Sequence, residues 1–76
     1  MKAIERITFN PEILGGKPCL RGMRVSVGTI VGLLATGHTK DEILGLYSYL
    51  EAADIDAALA YAAWRSEEIE VQVAAV

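Results

Sequence analysis

Cysteine and histidine are scarce in this sequence, and their scarcity excludes several kinds of site. The 76 residues include one cysteine, Cys19, one histidine, His38, and two prolines. A lone cysteine cannot form an internal disulfide, and with a single histidine it cannot supply the ligands of a structural zinc ion. A chain of this length also lacks room for a cofactor-binding domain beside a substrate domain. We expect one domain over residues 1–76, with no metal and no cofactor.

Long apolar runs and a secretory leader are absent as well. The longest apolar run, residues 27–35, is interrupted by Gly28, Thr29 and Gly32, and it is much shorter than the about 20 residues that span a bilayer. The first residues do not combine basic side chains with an apolar stretch, as a signal peptide would. We expect a soluble, cytoplasmic protein without membrane contact.

Groups that could perform catalysis are few. His38 lies in a predicted turn between helices, and no serine or cysteine stands at helical spacing from it. Nucleophilic catalysis needs such a neighbouring group. We expect no enzymatic activity, no catalytic residue and no small-molecule substrate.

Basic residues almost vanish from the second half of the chain. Residues 1–40 carry six lysines and arginines and two acids, whereas residues 41–76 carry eight acids and one base, Arg65. Such polarisation indicates a surface for nucleic acid or for a charged protein partner. The alternative is that these charged residues only lie on faces that are exposed to solvent and have no binding role.

Apolar residues are, by contrast, abundant at 53% of the chain. A domain of this size buries only about 60% of the surface that its unfolded chain exposes. The surplus predicts a second chain, either as a homodimer or as a complex with another protein.

The first 25 residues are predicted to form a short strand and a basic loop. Residues 3–9 have the β-branched and aromatic composition of a strand, and turns follow at Asn10-Pro11 and Gly15-Gly16. The segment 17–25 is either a small hairpin or an irregular loop rich in glycine, proline and basic residues.

Capping signals place the first two helices. Ser26 is a favoured N-cap, apolar residues follow it at helical spacing, and Gly37 stands where helices commonly end. Thr39 and Glu42 form a capping-box pattern that opens a second helix over residues 40–47.

A third helix is predicted over about residues 51–65, because alanines supply helix propensity and acids occupy its first turns. The expected fold is mainly α, with a three-helix bundle over residues 26–66 behind an N-terminal strand or hairpin. The apolar residues expected in its core are Val27, Ile30, Leu34, Ile43, Leu46, Ile55 and Leu59.

The third helix carries a second apolar stripe beside its core face, at Ala57, Tyr61 and Trp64. A surface helix needs only one stripe, so this one is covered either by the N-terminal segment or by a partner. Within the tail, residues 67–76, positions 68–73 alternate polar and apolar residues, so this segment is either a strand or a frayed tail. The candidate residues for a partner or dimer interface are Ala57, Tyr61, Trp64, Ile69, Val71 and Val73.

Three helices with a glycine-containing turn are typical of helix-turn-helix domains that bind DNA. The third helix, however, presents Asp54 and Asp56, which DNA phosphates would repel. The available bases lie in the loop, so the candidate nucleic-acid contacts are Lys17, Arg21 and Arg24. Alternatively, the two arginines pair with acids of the C-terminal half.

Several motifs together resemble a known family. Residues 10–27 read NPEILGGKPCLRGMRVSV, and the later motifs are LLATG (33–37), EIL (42–44), YSYL (47–50) and DIDAALAYA (54–62). Over about residues 4–64 they resemble the domain-of-unknown-function 433 family. One departure is Glu51-Ala52, where the family usually has a Thr-Pro cap for the third helix.

The resemblance implies a homeodomain-like helix-turn-helix fold. Members of the family are regarded as VapB-type antitoxins encoded beside a PIN-like ribonuclease toxin. It therefore implies a protein of a type II toxin–antitoxin pair that binds and silences a ribonuclease and can also bind operator DNA. The other reading is a stand-alone DNA-binding regulator that uses the basic loop.

Overall fold

The computed structural model describes residues 2–68, in which three helices pack behind a small N-terminal hairpin. The helices are α1 (Val27–Ala35), α2 (Lys40–Leu46) and α3 (Ala52–Glu68). The antiparallel strands are β1 (Ile7–Thr8) and β2 (Cys19–Leu20), with Ile7 opposite Leu20 and Thr8 opposite Cys19. Short 3-10 helices cover Lys2–Arg6 and Leu14–Gly16. The mainly α fold predicted from the sequence is confirmed.

Two boundaries differ from the predictions. The strand expected over residues 3–9 is reduced to β1, because residues before it form the 3-10 helix Lys2–Arg6, which packs against α3. Helix α3 continues to Glu68, past the predicted end at residue 65. The tail residues from 69 onward lie outside the described part of the chain.

The caps of α1 and α2 form as predicted. Ser26 Oγ accepts a hydrogen bond from the Thr29 N–H at 3.0 Å. Thr39 Oγ1 accepts from the Glu42 N–H at 3.1 Å, while Glu42 Oε1 accepts from the Thr39 N–H at 2.8 Å. This reciprocal capping box satisfies backbone donors that have no partner within the helix. The boundaries of the first two helices are therefore set by local chemistry.

The core lies between the hairpin, α1 and α3, and α2 contributes one residue to it. Its buried side chains are Ile7, Leu20, Val25, Val27, Ile30, Ile43, Leu50, Ile55, Ala57 and Ala58. Four of these, Val27, Ile30, Ile43 and Ile55, were predicted, and Leu34 packs against the core while half-buried.

Leu46 and Leu59 were predicted in the core, and both predictions are wrong. Leu46 is 61% exposed because it is the last residue of the short helix α2, beyond the reach of the core. Leu59 is 39% exposed because the buried face of α3 is turned toward Ala57, where the N-terminal segment covers the helix.

Gly32 offers a stability test within α1. It is an exposed glycine in a helix, and a Cβ added there meets no atom within 4 Å. We expect Gly32→Ala to stabilise the fold by about 1 kcal/mol, because alanine loses less backbone entropy in a helix. Thermal unfolding followed by circular dichroism should show a higher Tm. Gly37→Ala is the control, since its φ of +100° is strained for alanine and Tm should fall. A lower Tm for Gly32→Ala would contradict the exposed position of this glycine.

Candidate functional site

Only part of the second apolar stripe of α3 is exposed to solvent. Ala57 is fully buried, because the 3-10 helix Lys2–Arg6 and β1 pack against this side of α3. It therefore cannot contact a partner directly, which corrects its predicted place at an interface. Tyr61 is half-buried, and Trp64 keeps 43% of its surface exposed. The N-terminal segment thus covers the beginning of the stripe and leaves its end open.

Phe9 joins the open end of this stripe and makes an aromatic strip, defined here as Phe9, Tyr61 and Trp64. Phe9 follows β1 directly and is 58% exposed. Its ring centroid lies 6.0 Å from that of Tyr61, which lies 5.9 Å from that of Trp64. At these separations aromatic rings attract one another. The result is a continuous, exposed aromatic surface built from two segments of the chain.

Sequence reasoning selected two of the three rings. Tyr61 and Trp64 were found from their helical spacing, whereas Phe9 was read only as a strand residue. Its signal would have been its position directly before the Asn10-Pro11 turn, where the strand ends. The other predicted interface residues, Ile69, Val71 and Val73, lie outside the described residues.

At the start of α3, four charged residues form an ion cluster, defined here as Arg6, Arg21, Glu51 and Asp54. Asp54 is fully buried. Arg21 donates to it from both Nε and Nη2, to Oδ1 at 2.9 Å and to Oδ2 at 2.7 Å. Arg6 Nη1 donates to Asp54 Oδ1 at 2.9 Å and to Glu51 Oε1 at 2.9 Å. A buried carboxylate with two guanidinium partners is fully compensated in charge and hydrogen bonding.

The same carboxylate caps α3. The Glu51 N–H donates to Asp54 Oδ2 at 2.8 Å. This is one of the two hydrogen bonds of a capping box, the one in which the side chain of the third helical residue accepts from the N–H of the N-cap residue. Asp54 thus supplies a capping bond at the position where Glu51-Ala52 departs from the usual Thr-Pro. The cluster joins the N-terminal segment, the loop after β2 and the start of α3. It therefore holds in place the two segments that bear the aromatic strip.

Arg21 is held in the cluster by its backbone as well as its side chain. Its φ is +46°, and its N–H donates to the Arg6 carbonyl at 2.7 Å. Its Nη2 also donates to the Tyr49 carbonyl at 3.2 Å. Of the two readings left open for Arg21, pairing with an acid of the C-terminal half is the one observed.

Lys17 and Arg24 are placed differently from Arg21. Both are exposed, and neither side chain has a hydrogen bond or ion pair with another residue of the described range 2–68. Lys17 lines an open depression of about 410 Å³ together with Pro18, Ser26, Gly28 and Thr29. The three predicted nucleic-acid contacts therefore do not form one cluster of unpaired bases.

The electrostatics of Asp54 follow from its partners. Hydrogen bonds from Arg21, and then from the Glu51 backbone and Arg6, outweigh the effect of burial and lower the pKa of the Asp54 carboxyl to about 2. Asp54 is therefore ionised at neutral pH, and its role is to bind the two guanidinium groups.

Within residues 2–68, no group of three histidine, cysteine or acidic side chains is arranged to hold a metal ion. Over the same range, no helix is both long enough and apolar enough to cross a membrane. Cys19, the first residue of β2, is buried.

Comparison with known proteins identifies the family. The model of a family described as "Protein of unknown function (DUF433)" matches residues 7–62. The chain belongs to the DUF433 family. The match runs from β1 through most of α3, so it includes Arg21 and Asp54 but ends before Trp64.

Two known proteins are similar to this chain. The crystal structure of a DUF433 member from Anabaena variabilis ATCC 29413 superposes with a TM-score of 0.76 at 32% identity, covering 91% of this chain and 68% of that one. The uncharacterized protein y4eO of Sinorhizobium fredii (strain NBRC 101917 / NGR234) is 40% identical over 60 residues, which is 79% of this chain. The chain matches only 27% of the length of y4eO.

Proposed function

We propose that this DUF433 protein is a non-catalytic protein-binding module that neutralises a PIN-like ribonuclease toxin, as the antitoxin of a type II pair does. The observation that carries the proposal is the aromatic strip. Two of its rings are about half exposed on a small domain whose core is otherwise closed around alanine and aliphatic side chains. Aromatic side chains are enriched at the energetic centres of protein interfaces.

The position of the strip supports a protein partner over DNA. It lies along α3, the helix that would be the recognition helix of a helix-turn-helix domain. The first turns of that helix pack in the core and contribute Asp54 to the ion cluster, so they are not free to contact DNA bases. Its outward side carries Asp56 and Glu67, both exposed, and these carboxylates disfavour contact with phosphates.

The test is binding to the protein encoded by the neighbouring reading frame. We expect Trp64→Ala to weaken this complex by about 30-fold, since a central aromatic anchor contributes about 2 kcal/mol. Isothermal titration calorimetry on the two purified proteins measures the change, and growth rescue on co-expression reports neutralisation. Tyr49→Ala is the matched control, because Tyr49 is 52% exposed but lies outside the strip. Equal loss in both variants, or none in Trp64→Ala, would refute the proposed site.

A second candidate function, operator binding, is favoured by the exposed bases Lys17 and Arg24. Each phosphate contact contributes about one unit to the slope of log affinity against log salt. We expect Lys17→Ala with Arg24→Ala to lower this slope by about two on operator DNA, measured by fluorescence anisotropy. Lys40→Ala is the control, since Lys40 pairs with Asp56. An unchanged slope in the double variant would remove these residues from the DNA interface.

A further inference from the structure

We infer that the aromatic strip binds an arginine-bearing, cationic surface of its protein partner. This inference rests on the proposed function and specifies the chemistry of the partner. It is carried by two features: the exposed aromatic side chains of the strip, and exposed carboxylates, unpaired within residues 2–68, that lie one helical turn after Trp64 and three positions after Phe9 along the chain.

The rings of the strip are inclined to one another rather than stacked face to face. The planes of Phe9 and Tyr61 are inclined by 59°, and those of Tyr61 and Trp64 by 48°. The two outer rings, Phe9 and Trp64, keep 58% and 43% of their surface exposed, so a partner can reach an aromatic face. A guanidinium group placed over such a face is attracted by the negative potential of the π system, and tryptophan is the strongest acceptor.

The carboxylates near the strip differ in their pairing from others on the same helix. Glu67 is exposed one turn beyond Trp64, and residues three apart on a helix are neighbours on its surface. Glu12 is exposed in the turn that follows Phe9. Neither side chain forms an ion pair with another residue in the described range 2–68.

Three other acids, which lie in the first turns of α3 and at its cap, have cationic partners. Glu51 pairs with Arg6, Asp54 with both arginines of the ion cluster, and Asp56 with Lys40. Glu67 thus places a negative charge, unpaired among the described residues, next to Trp64, and the half of the chain that bears α3 is strongly acidic. Charge complementarity favours a cationic protein surface there. Arginine fits better than lysine, since its planar group both stacks on aromatic faces and binds carboxylates through two hydrogen bonds.

Tryptophan fluorescence can test this inference, because Trp64 is the sole tryptophan of the chain. The probes are nona-arginine, nona-lysine and a neutral glycine–serine nonapeptide, each titrated into the purified protein at physiological salt. We expect a saturable change in Trp64 fluorescence with nona-arginine, affinity at least about threefold lower for nona-lysine, and no response to the neutral peptide.

Variants that keep Trp64 locate the binding. Glu67→Gln and Tyr61→Leu should each weaken nona-arginine binding by about threefold or more. Asp41→Asn is the matched control, because it removes the same charge from an exposed acid on α2, and it should leave affinity within about 1.5-fold. Equal weakening by Asp41→Asn and Glu67→Gln would indicate unspecific attraction and overturn the inference. So would equal affinity for arginine and lysine peptides, or no saturable response.

Binding of the neighbouring gene product, compared with binding of nona-arginine, separates this inference from the proposed function. If Trp64→Ala abolishes binding of the neighbouring gene product while nona-arginine gives no response, the inference fails and the proposed function stands. If nona-arginine binds at the strip but the neighbouring gene product does not bind, the proposed function fails and the arginine-binding surface stands.

Discussion

Replacing Asp54 with asparagine is expected to destabilise the protein by about 3–5 kcal/mol, the cost of removing one partner from a buried ion pair. The variant leaves Arg6 and Arg21 without a counter-charge, and the new amide N–H₂ group faces guanidinium donors with which it cannot bond. For a domain of this length the total stability is about 4–11 kcal/mol. Thermal and urea unfolding should therefore show a Tm lower by roughly 15–30 °C.

Asp56→Asn is the matched control for this loss. Asp56 lies two residues further on the same helix and forms an ion pair with Lys40, but both side chains are about half exposed to solvent. Exposed pairs contribute less than about 1 kcal/mol. A similar loss of stability in the two variants would show that Asp54 is not buried as described.

The low pKa of Asp54 adds a pH dependence with a definite sign. Its pKa is lowered from 3.8 to about 2 on folding, so the folded state binds this proton less tightly than the unfolded state. The stabilisation is fully present above about pH 4 and is lost as the pH falls toward 2, for a total of about 2 kcal/mol. Urea unfolding between pH 5 and 2 should show this loss in the wild type. An equal slope in Asp54→Asn would assign it to other carboxyls.

The ion cluster also marks a limit of sequence reasoning. The alternative that Arg21 pairs with an acid of the C-terminal half was available from the charge pattern, but its partner was not. Arg21 and Asp54 are separated by 33 positions, and no local pattern encodes such a pairing. The left-handed backbone at Arg21 is equally invisible, since arginine is not a residue that signals positive φ. Arg6 was missed because nothing near it in the sequence indicates a partner.

Features that depend on residues close in sequence were easier to predict than features that depend on tertiary packing. The starts of α1 and α2 were predictable because the capping bonds of Ser26 and Thr39 join residues only three apart. On α3 the burial of Ile55 was predictable from periodicity, but the extent to which each apolar stripe is covered was not, because it depends on where the N-terminal segment lies. Periodicity gave two apolar stripes without showing how far each is covered, and the structure buries Ala57 while exposing Leu59.

A pair of leucine truncations distinguishes the observed core from the predicted one. Leu20→Ala should cost about 2–5 kcal/mol, since Leu20 is fully buried and its truncation leaves a cavity between the hairpin and the helices. Leu46→Ala removes the same atoms from an exposed helix end, where substitutions typically change stability by less than about 0.5 kcal/mol. Urea unfolding of both variants at pH 7 gives the two values. If Leu46→Ala were as costly as Leu20→Ala, the end of α2 would be packed against the core, as the helical periodicity predicted, or against a second chain.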